Sequence, residues 1–378
     1  MSILLTVSVI FIMFYFVLRT RGIHVWLLSY LKHRLRIIFL KKKYPIHVMF
    51  CFADHYEPRW KTNDPEVETR RVDRWCSEYP ELAGHHKDAD GCFPKHSFFF
   101  PEEEYHKDHL DKLSHLCDQG FGEVEIHLHH HDDNEANFRK TIAGFKDTLS
   151  NTHGQLSRDK SGKTGFAFIH GNWALDNSDP DGDNCGINNE ISILRDEACF
   201  VDMTFPSAPH LTQPRTVNSI YMATDNPDKP KSHDTGEDVS IHGMPEGDLL
   251  LIQGPLCFNW KSRKLGVLPK IENSDIRYLQ PPDEHRIDLW IKQHIHVRGR
   301  PEWLFVKIHT HGAQEPDMDV LLGKPVDMMF DYLEKKYNDG DKYVLHYVSA
   351  REMYNIVKAA SDGMSGNPND YRDYTFTK

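Results

Sequence analysis

Glu123-Val124-Glu125-Ile126-His127-Leu128-His129-His130-His131-Asp132-Asp133 reads as a strand that runs straight into a cluster of imidazoles and carboxylates. His127 and His131 lie four apart, and His129 shares their parity. The same juxtaposition recurs. Phe52-Ala53-Asp54-His55 closes an earlier apolar run, and Lys307-Ile308-His309-Thr310-His311-Gly312 closes a late one. Imidazole and carboxylate gathered at several strand ends are what a divalent-metal hydrolase site needs. Histidine makes up 25 of 378 residues, so the competing reading is a scatter of surface histidines. Three clusters, each directly after an apolar run, weigh against it.

Working outward, strand and helix signals alternate. Ile46 to Asp54 reads as a buried strand, and Asp64-Pro65 as an N-cap with proline at the first helical position of a helix running towards Tyr79. Strands are expected over Lys95–Phe100, Glu123–His127, Gly165–His170, Phe200–Phe205, Asp248–Gln253, Trp303–His309 and Lys342–Val348. Helices are expected over Glu102–Gln119 (with Gly120 at its C-terminal turn), Asn134–Leu149, Ile187–Ala198, Asp283–His296, Val320–Tyr337 and Ala350–Ala360. This alternation implies an α/β fold with a parallel sheet. Six to eight units suit a closed barrel, whose chemistry sits at the C-terminal strand ends. An open doubly wound sheet is the alternative, weakened by the lack of a glycine-rich phosphate loop after the first strand.

Composition sets bounds. Charged residues are 27% and hydrophobic ones 39%, as in a globular body. A net charge of −11 argues against a nucleic-acid partner. Seven dispersed cysteines without a CxxC pair speak against a disulfide framework and against cysteine-held zinc, and lean towards a reducing compartment. The N-terminus differs. Ser2 to Leu18 is uncharged and just long enough to span a bilayer, with bases only on its C-terminal side. The expected organisation is a single-pass membrane anchor over 1–20, a basic amphipathic juxtamembrane helix over 21–43, a body over 44–360 with an irregular insertion at 207–247, and a mobile tail over 361–378. By the charge rule the body lies on the cytoplasmic side. A buried first helix of the body is the competing reading of 23–40.

Asp54, His127 and His131 supply one carboxylate and two imidazoles, a three-donor set that leaves positions open for water and substrate. A divalent metal there, zinc first, lowers the pKa of water and polarises a carbonyl. His309 and His311 are candidates for proton transfer to a leaving group, or for ligands of a second metal. His170-Gly171-Asn172-Trp173 follows a strand, and its tryptophan offers a flat face to a sugar ring; a plain turn beside a buried tryptophan fits it as well. Ser232-His233-Asp234 has no evident place.

These residues resemble the polysaccharide deacetylase superfamily, carbohydrate esterase family four, with the NodB-homology fold. That family opens on a strand ending Thr-Phe-Asp-Asp-Gly, where this chain has Cys51-Phe52-Ala53-Asp54-His55. Its Ala-Thr-Phe-Phe strand is matched by His96-Ser97-Phe98-Phe99-Phe100, its Glu-Ile-Gly-x-His-x-x-x-His by Glu123 to His131, and its closing Leu-x-His by His309 or His311. The order agrees over roughly residues 45 to 350. The resemblance implies a distorted (β/α)7 barrel and metal-assisted removal of an acetyl group from a carbohydrate or lipid-linked sugar, alongside polysaccharide-biosynthesis machinery. It implies Asp54, His127 and His131 as metal ligands. Three departures stand out. The family's catalytic base falls on Ala53, leaving His55, Glu57 or Asp133 to replace it; the Arg-x-Pro-Tyr segment is missing, with His170 to Trp173 near its place; and the Leu of Leu-x-His is replaced by Lys307 or His309. Two other readings remain open: a binuclear phosphoesterase or amidohydrolase, suggested by the His-x-His pairs, and a degenerate glycan-binding or scaffold protein, suggested by Ala53.

Overall fold

The computed structural model describes residues 15–378. The expected anchor over 1–20 therefore lies largely outside the described residues, among which no helix is long and apolar enough to cross a membrane. In chain order the helices are α1 (Ile23–Ile38), α2 (Pro65–Ala83), α3 (Lys107–Leu116), α4 (Glu135–Asp147), α5 (Glu190–Asp196), α6 (Glu284–Gln293), α7 (Glu315–Leu321), α8 (Lys324–Tyr337) and α9 (Ala350–Ser361). The strands are β1 (Ile46–His55), β2 (His96–Pro101), β3 (Gly122–Leu128), β4 (Ser157–Asp159), β5 (Thr164–His170), β6 (Cys199–Asp202), β7 (Ile220–Ala223), β8 (Glu237–Asp238), β9 (Leu249–Ile252), β10 (Cys257–Lys264), β11 (Leu268–Glu272), β12 (Asp275–Ile276), β13 (Trp303–Thr310), β14 (Tyr343–Tyr347) and β15 (Phe376–Thr377).

The fold is mixed α/β around a mostly parallel sheet, ordered β12-β13-β1-β2-β3-β5-β6-β9-β7-β8. β1 is its hub. It pairs with β13 along His47–Asp54 on one side, and with β14 and then β2 on the other. Side-chain parity sorts the strands into two faces, because successive Cβ atoms alternate. Val48, Phe50, Phe52, Val124, Ile126, Phe166, Phe168, Leu304, Val306 and Ile308 pack outward into the cluster that also holds Trp75 of α2, Leu113 of α3, Phe138 of α4 and Phe330 of α8. Met49, Cys51, Ala53, Ala167, Ile169, Trp303 and Phe305 face the other way, with Met353, Ile356 and Val357 of α9. The sheet curls towards this second, inner face. Lys307 of β13, fully buried, donates to the carbonyls of Met203 and Phe205 just past β6, at 2.7 and 2.6 Å, although four strands intervene. Among the described residues no hydrogen-bonded ladder closes the ring between β12 and β9.

Local sequence explains most elements. Asp64 caps α2 by accepting from the Glu66 amide, with Pro65 at the first helical position. Ser349 and Glu352 form a reciprocal capping box on α9. Gly120 takes a φ of 92°, as expected for the residue that stops the preceding helix. Some expectations need correction. The helix placed at Glu102–Gln119 starts at Lys107, because Glu102–Glu104 form a separate 3-10 turn. The single helix at Val320–Tyr337 is two, broken at Gly323 and restarted by Pro325. The tail expected to be mobile is packed. β15 pairs with β4, and buried Arg372 binds Asp88 and Glu352 at 3.0 and 3.1 Å. The helix read as lying on a membrane also docks on the body, with Trp26 fully buried beside Ala208, Val217, Leu256 and Ile271. The antiparallel β10–β11 hairpin went unread in the sequence.

Candidate metal centre

Parity decides which strand-end residues meet. On β1, Ala53 and His55 share the inner face, and Asp54 points outward. On β3, His127 lies on that same face. The result is a group of His55, Glu57 and His127 whose donor atoms all lie within 4.8 Å of one another, every residue buried. His127 Nδ1 donates to the Ile169 carbonyl at 2.8 Å, which fixes the tautomer and leaves Nε2 as a bare acceptor. That Nε2 sits 3.4 Å from Glu57 Oε1. Two donors on one tetrahedral zinc are about 3.3 Å apart, given bonds of about 2.0–2.1 Å. Nε2 of His55 and Nε2 of His127 are both buried without a hydrogen-bond partner among the described residues. Such orphans are costly unless something binds them. One carboxylate and two imidazoles therefore can hold a divalent ion with positions to spare.

The expected ligands Asp54 and His131 are not part of this group. Asp54 is fully buried on the outer face, where its carboxylate accepts from the Gly312 amide at 2.6 Å and meets His96 Nδ1 at 3.3 Å. β3 ends at Leu128, so alternation lapses before His131, whose exposed side chain pairs, among the described residues, with Asp132 and the Asn184 amide. His55 and Glu57, expected as catalytic groups, occupy the donor positions instead.

Further histidines crowd the same mouth. His311 stacks on His55 with centroids 4.7 Å apart, and its ring meets Arg277 Nη2 at 3.0 Å. Burial, opposed by Glu57 and reinforced by Arg277, pushes His311 down to about 3. His309 lies 6.4 Å from His55, pairs in register with Ala53, and keeps an unpartnered, buried Nδ1. Burial, with Lys307 nearby, holds it well below the usual imidazole range. Behind it Asp275, pushed up to about 6 by burial, approaches His309 Nε2 at 3.8 Å and binds Arg277 at 2.7 Å. His129, read in the sequence only as half of a His-x-His pair suited to a two-metal site, reaches Glu57 at 3.5 Å and Glu103 at 2.5 Å. Burial would lower it, but those two carboxylates prevail and raise it to about 10.

Of the residues assigned to substrate, Trp173 faces the mouth, its ring 6.5 Å from His55 and 6.3 Å from His311. Asn172 is exposed and bonds Asn184. His170 is fully buried and turned to the outer face, its ring 6.2 Å from Phe168, so it does not line the site. It belongs to a separate group with His130, Cys185 and Glu190. Asp133 lies there too, 3.2 Å from His130 Nδ1, and so does not replace the base missing at Ala53. A cleft of about 500 Å³ opens beside the centre, lined by Glu57, Arg59, Trp60, Lys61, Glu103 and His129. Glu103 and Trp60 carried no sequence signal beyond composition, and Asp275 sits in a two-residue strand too short to read.

No protein-family model matches the chain, and no curated protein matches it.

Proposed function

We propose that the chain is a metal-dependent hydrolase with a divergent deacetylase-type (β/α)7 barrel, removing an acetyl group from a carbohydrate or a lipid-linked sugar. The observation that carries this reading is the pair of buried, unpartnered Nε2 atoms of His55 and His127 beside the Glu57 carboxylate. A divalent ion held there, zinc by the donor set, supplies Lewis acidity and a water of lowered pKa. His309 takes the place of the base absent at Ala53. It is neutral, its Nδ1 is free, and the Ala53–His309 register puts it where that base would stand. It accepts a proton from water and returns it to the leaving nitrogen or oxygen. His129, held between Glu57 and Glu103, lines the cleft and orients the Glu57 carboxylate. Trp173 and Trp60 offer flat apolar walls for sugar rings.

The test is acetate release from acetylated sugar oligomers. His309→Ala is expected to lower kcat by roughly 10²–10⁴-fold, and His55→Ala/His127→Ala to abolish turnover. Acetate release unchanged in both variants would end the proposal. Ala53 also supports a second reading, a glycan-binding protein without turnover. Gain of acetate release on Ala53→Asp in an inert parent would favour it.

The site belongs at a membrane surface in this account. Leu28, Leu31, Leu35 and Ile38 form an exposed apolar stripe on α1 at helical spacing, continued by Phe39 at its C-terminal cap. Beside it the β10–β11 hairpin exposes Trp260, Leu265 and Val267 among Lys261, Arg263 and Lys264. The two are joined through Trp26 and Phe258, centroids 5.1 Å apart, and by Arg21 donating to the Pro269 carbonyl. Apolar residues ringed by bases suit an anionic bilayer interface.

A further inference from the structure

On the outer face of the sheet, between the ends of β3 and β5 and the start of α5, lie His130, His170, Cys185 and Glu190, with donor atoms all within 4.8 Å of one another. The two imidazole Nε2 atoms are 2.8 Å apart, and Glu190 Oε1 is 3.3 Å from one and 3.4 Å from the other. Cys185 Sγ lies 3.5 Å from the same carboxylate. The thiol meets the carboxylate's second oxygen, Oε2, while the two imidazoles and Oε1 form a triangle whose 2.8–3.4 Å sides are close to the about 3.3 Å that zinc bonds of about 2.0–2.1 Å dictate.

The surroundings orient each donor. His170 Nδ1 donates to the Gly171 carbonyl at 2.6 Å, so its Nε2 presents a lone pair to the cluster. His130 turns Nδ1 towards the Asp133 carboxylate and stacks its ring on Phe138 of α4. Glu190 anchors its other oxygen on the Asp176 amide at 2.6 Å. Carboxylates and carbonyls behind the ligands are how metal-binding histidines are held. His170 and Glu190 are fully buried, and Cys185 with them.

We propose that His130, His170, Cys185 and Glu190 bind a structural zinc ion, distinct from the catalytic centre and independent of the hydrolase reading. A thiolate and a carboxylate neutralise the ion's charge, and four protein donors close its coordination, as in structural rather than catalytic zinc sites. The ion staples the loop from Gly171 to Asn189 onto the strand ends. That loop holds Asn172, Trp173, Asp176, Asn177 and Asn184 at positive φ, a backbone that needs an external clamp. Through it, the ion fixes Trp173 against His55 and His311. A single cysteine suffices, which is why the absence of a CxxC pair does not exclude the site.

The competing occupant is a proton shared between the two imidazoles. Full-length protein reconstituted with Co²⁺ separates them. Cobalt bound to Cys185 gives a near-ultraviolet thiolate-to-metal charge-transfer band, which the sulfur-free His55–Glu57–His127 centre does not. The band is expected in the wild type, retained in His55→Ala/His127→Ala and lost in Cys185→Ser. Cys185→Asp is a second variant that keeps an anionic donor, and it should retain the metal without the band. Cobalt-loaded, folded wild-type protein with no such band, or a band that survives Cys185→Asp, overturns the proposal.

Discussion

Asp54 illustrates how one residue's meaning turns on parity. It looks like a metal ligand by its place after a strand, yet it serves the fold, tying β1 to the turn after β13 through Gly312. Asp54→Ala strands that buried amide, and is expected to cost about 2–3 kcal/mol of stability while leaving the metal content of the folded fraction unchanged. Urea denaturation with metal analysis of the native fraction checks both. His129 gives a pH signature. Its folded pKa of about 10 exceeds the ordinary value of 6.5. Its ion pairs therefore stabilise fully below about pH 6.5 and are lost as pH rises towards 10. In metal-free protein the stability difference between wild type and His129→Gln should shrink across that window; a difference that grew would refute the pairing. The sequence made a candidate donor set legible, one carboxylate and two imidazoles near strand ends. It hid the identities, because counting from Ala53 to His55 on the inner face, rather than stopping at Asp54, requires knowing which face curls inward.

At the level of elements, strands and helices with caps or strong alternation were readable. Pro65 and Asp64 marked α2, and the apolar runs marked β1, β3, β5 and β13. Short or irregular pieces were not. β12 has two residues, β15 has two, and the β10–β11 hairpin carries exposed apolar residues where alternation would demand polar ones. The C-terminal segment is the clearest case. Its polar composition suggests disorder, whereas Arg372 and Phe376 dock it. Arg372→Ala leaves Asp88 without its cationic partner and Glu352 relying on Lys95, and is expected to cost about 3 kcal/mol, read as a lowered denaturation midpoint with an unchanged slope.

Across the whole molecule, a net charge of −11 coexists with a basic, apolar N-terminal face. Binding of the full chain to anionic vesicles should exceed binding to zwitterionic ones and fall with salt. Leu28→Glu/Leu35→Glu should weaken it markedly, as co-sedimentation would reveal. The curl of the sheet, carried by Lys307 across to Met203 and Phe205, gathers β1, β3 and β13 ends into one mouth. Nothing in a linear sequence states such long-range closure, though the recurrence of histidine after three strands anticipated that the ends converge.

The most direct test of the central claim is elemental mass spectrometry of the full-length protein beside His55→Ala/His127→Ala. The folded double variant is expected to carry one divalent ion fewer per chain than the wild type. Equal metal content in the two would contradict a centre built on His55, Glu57 and His127.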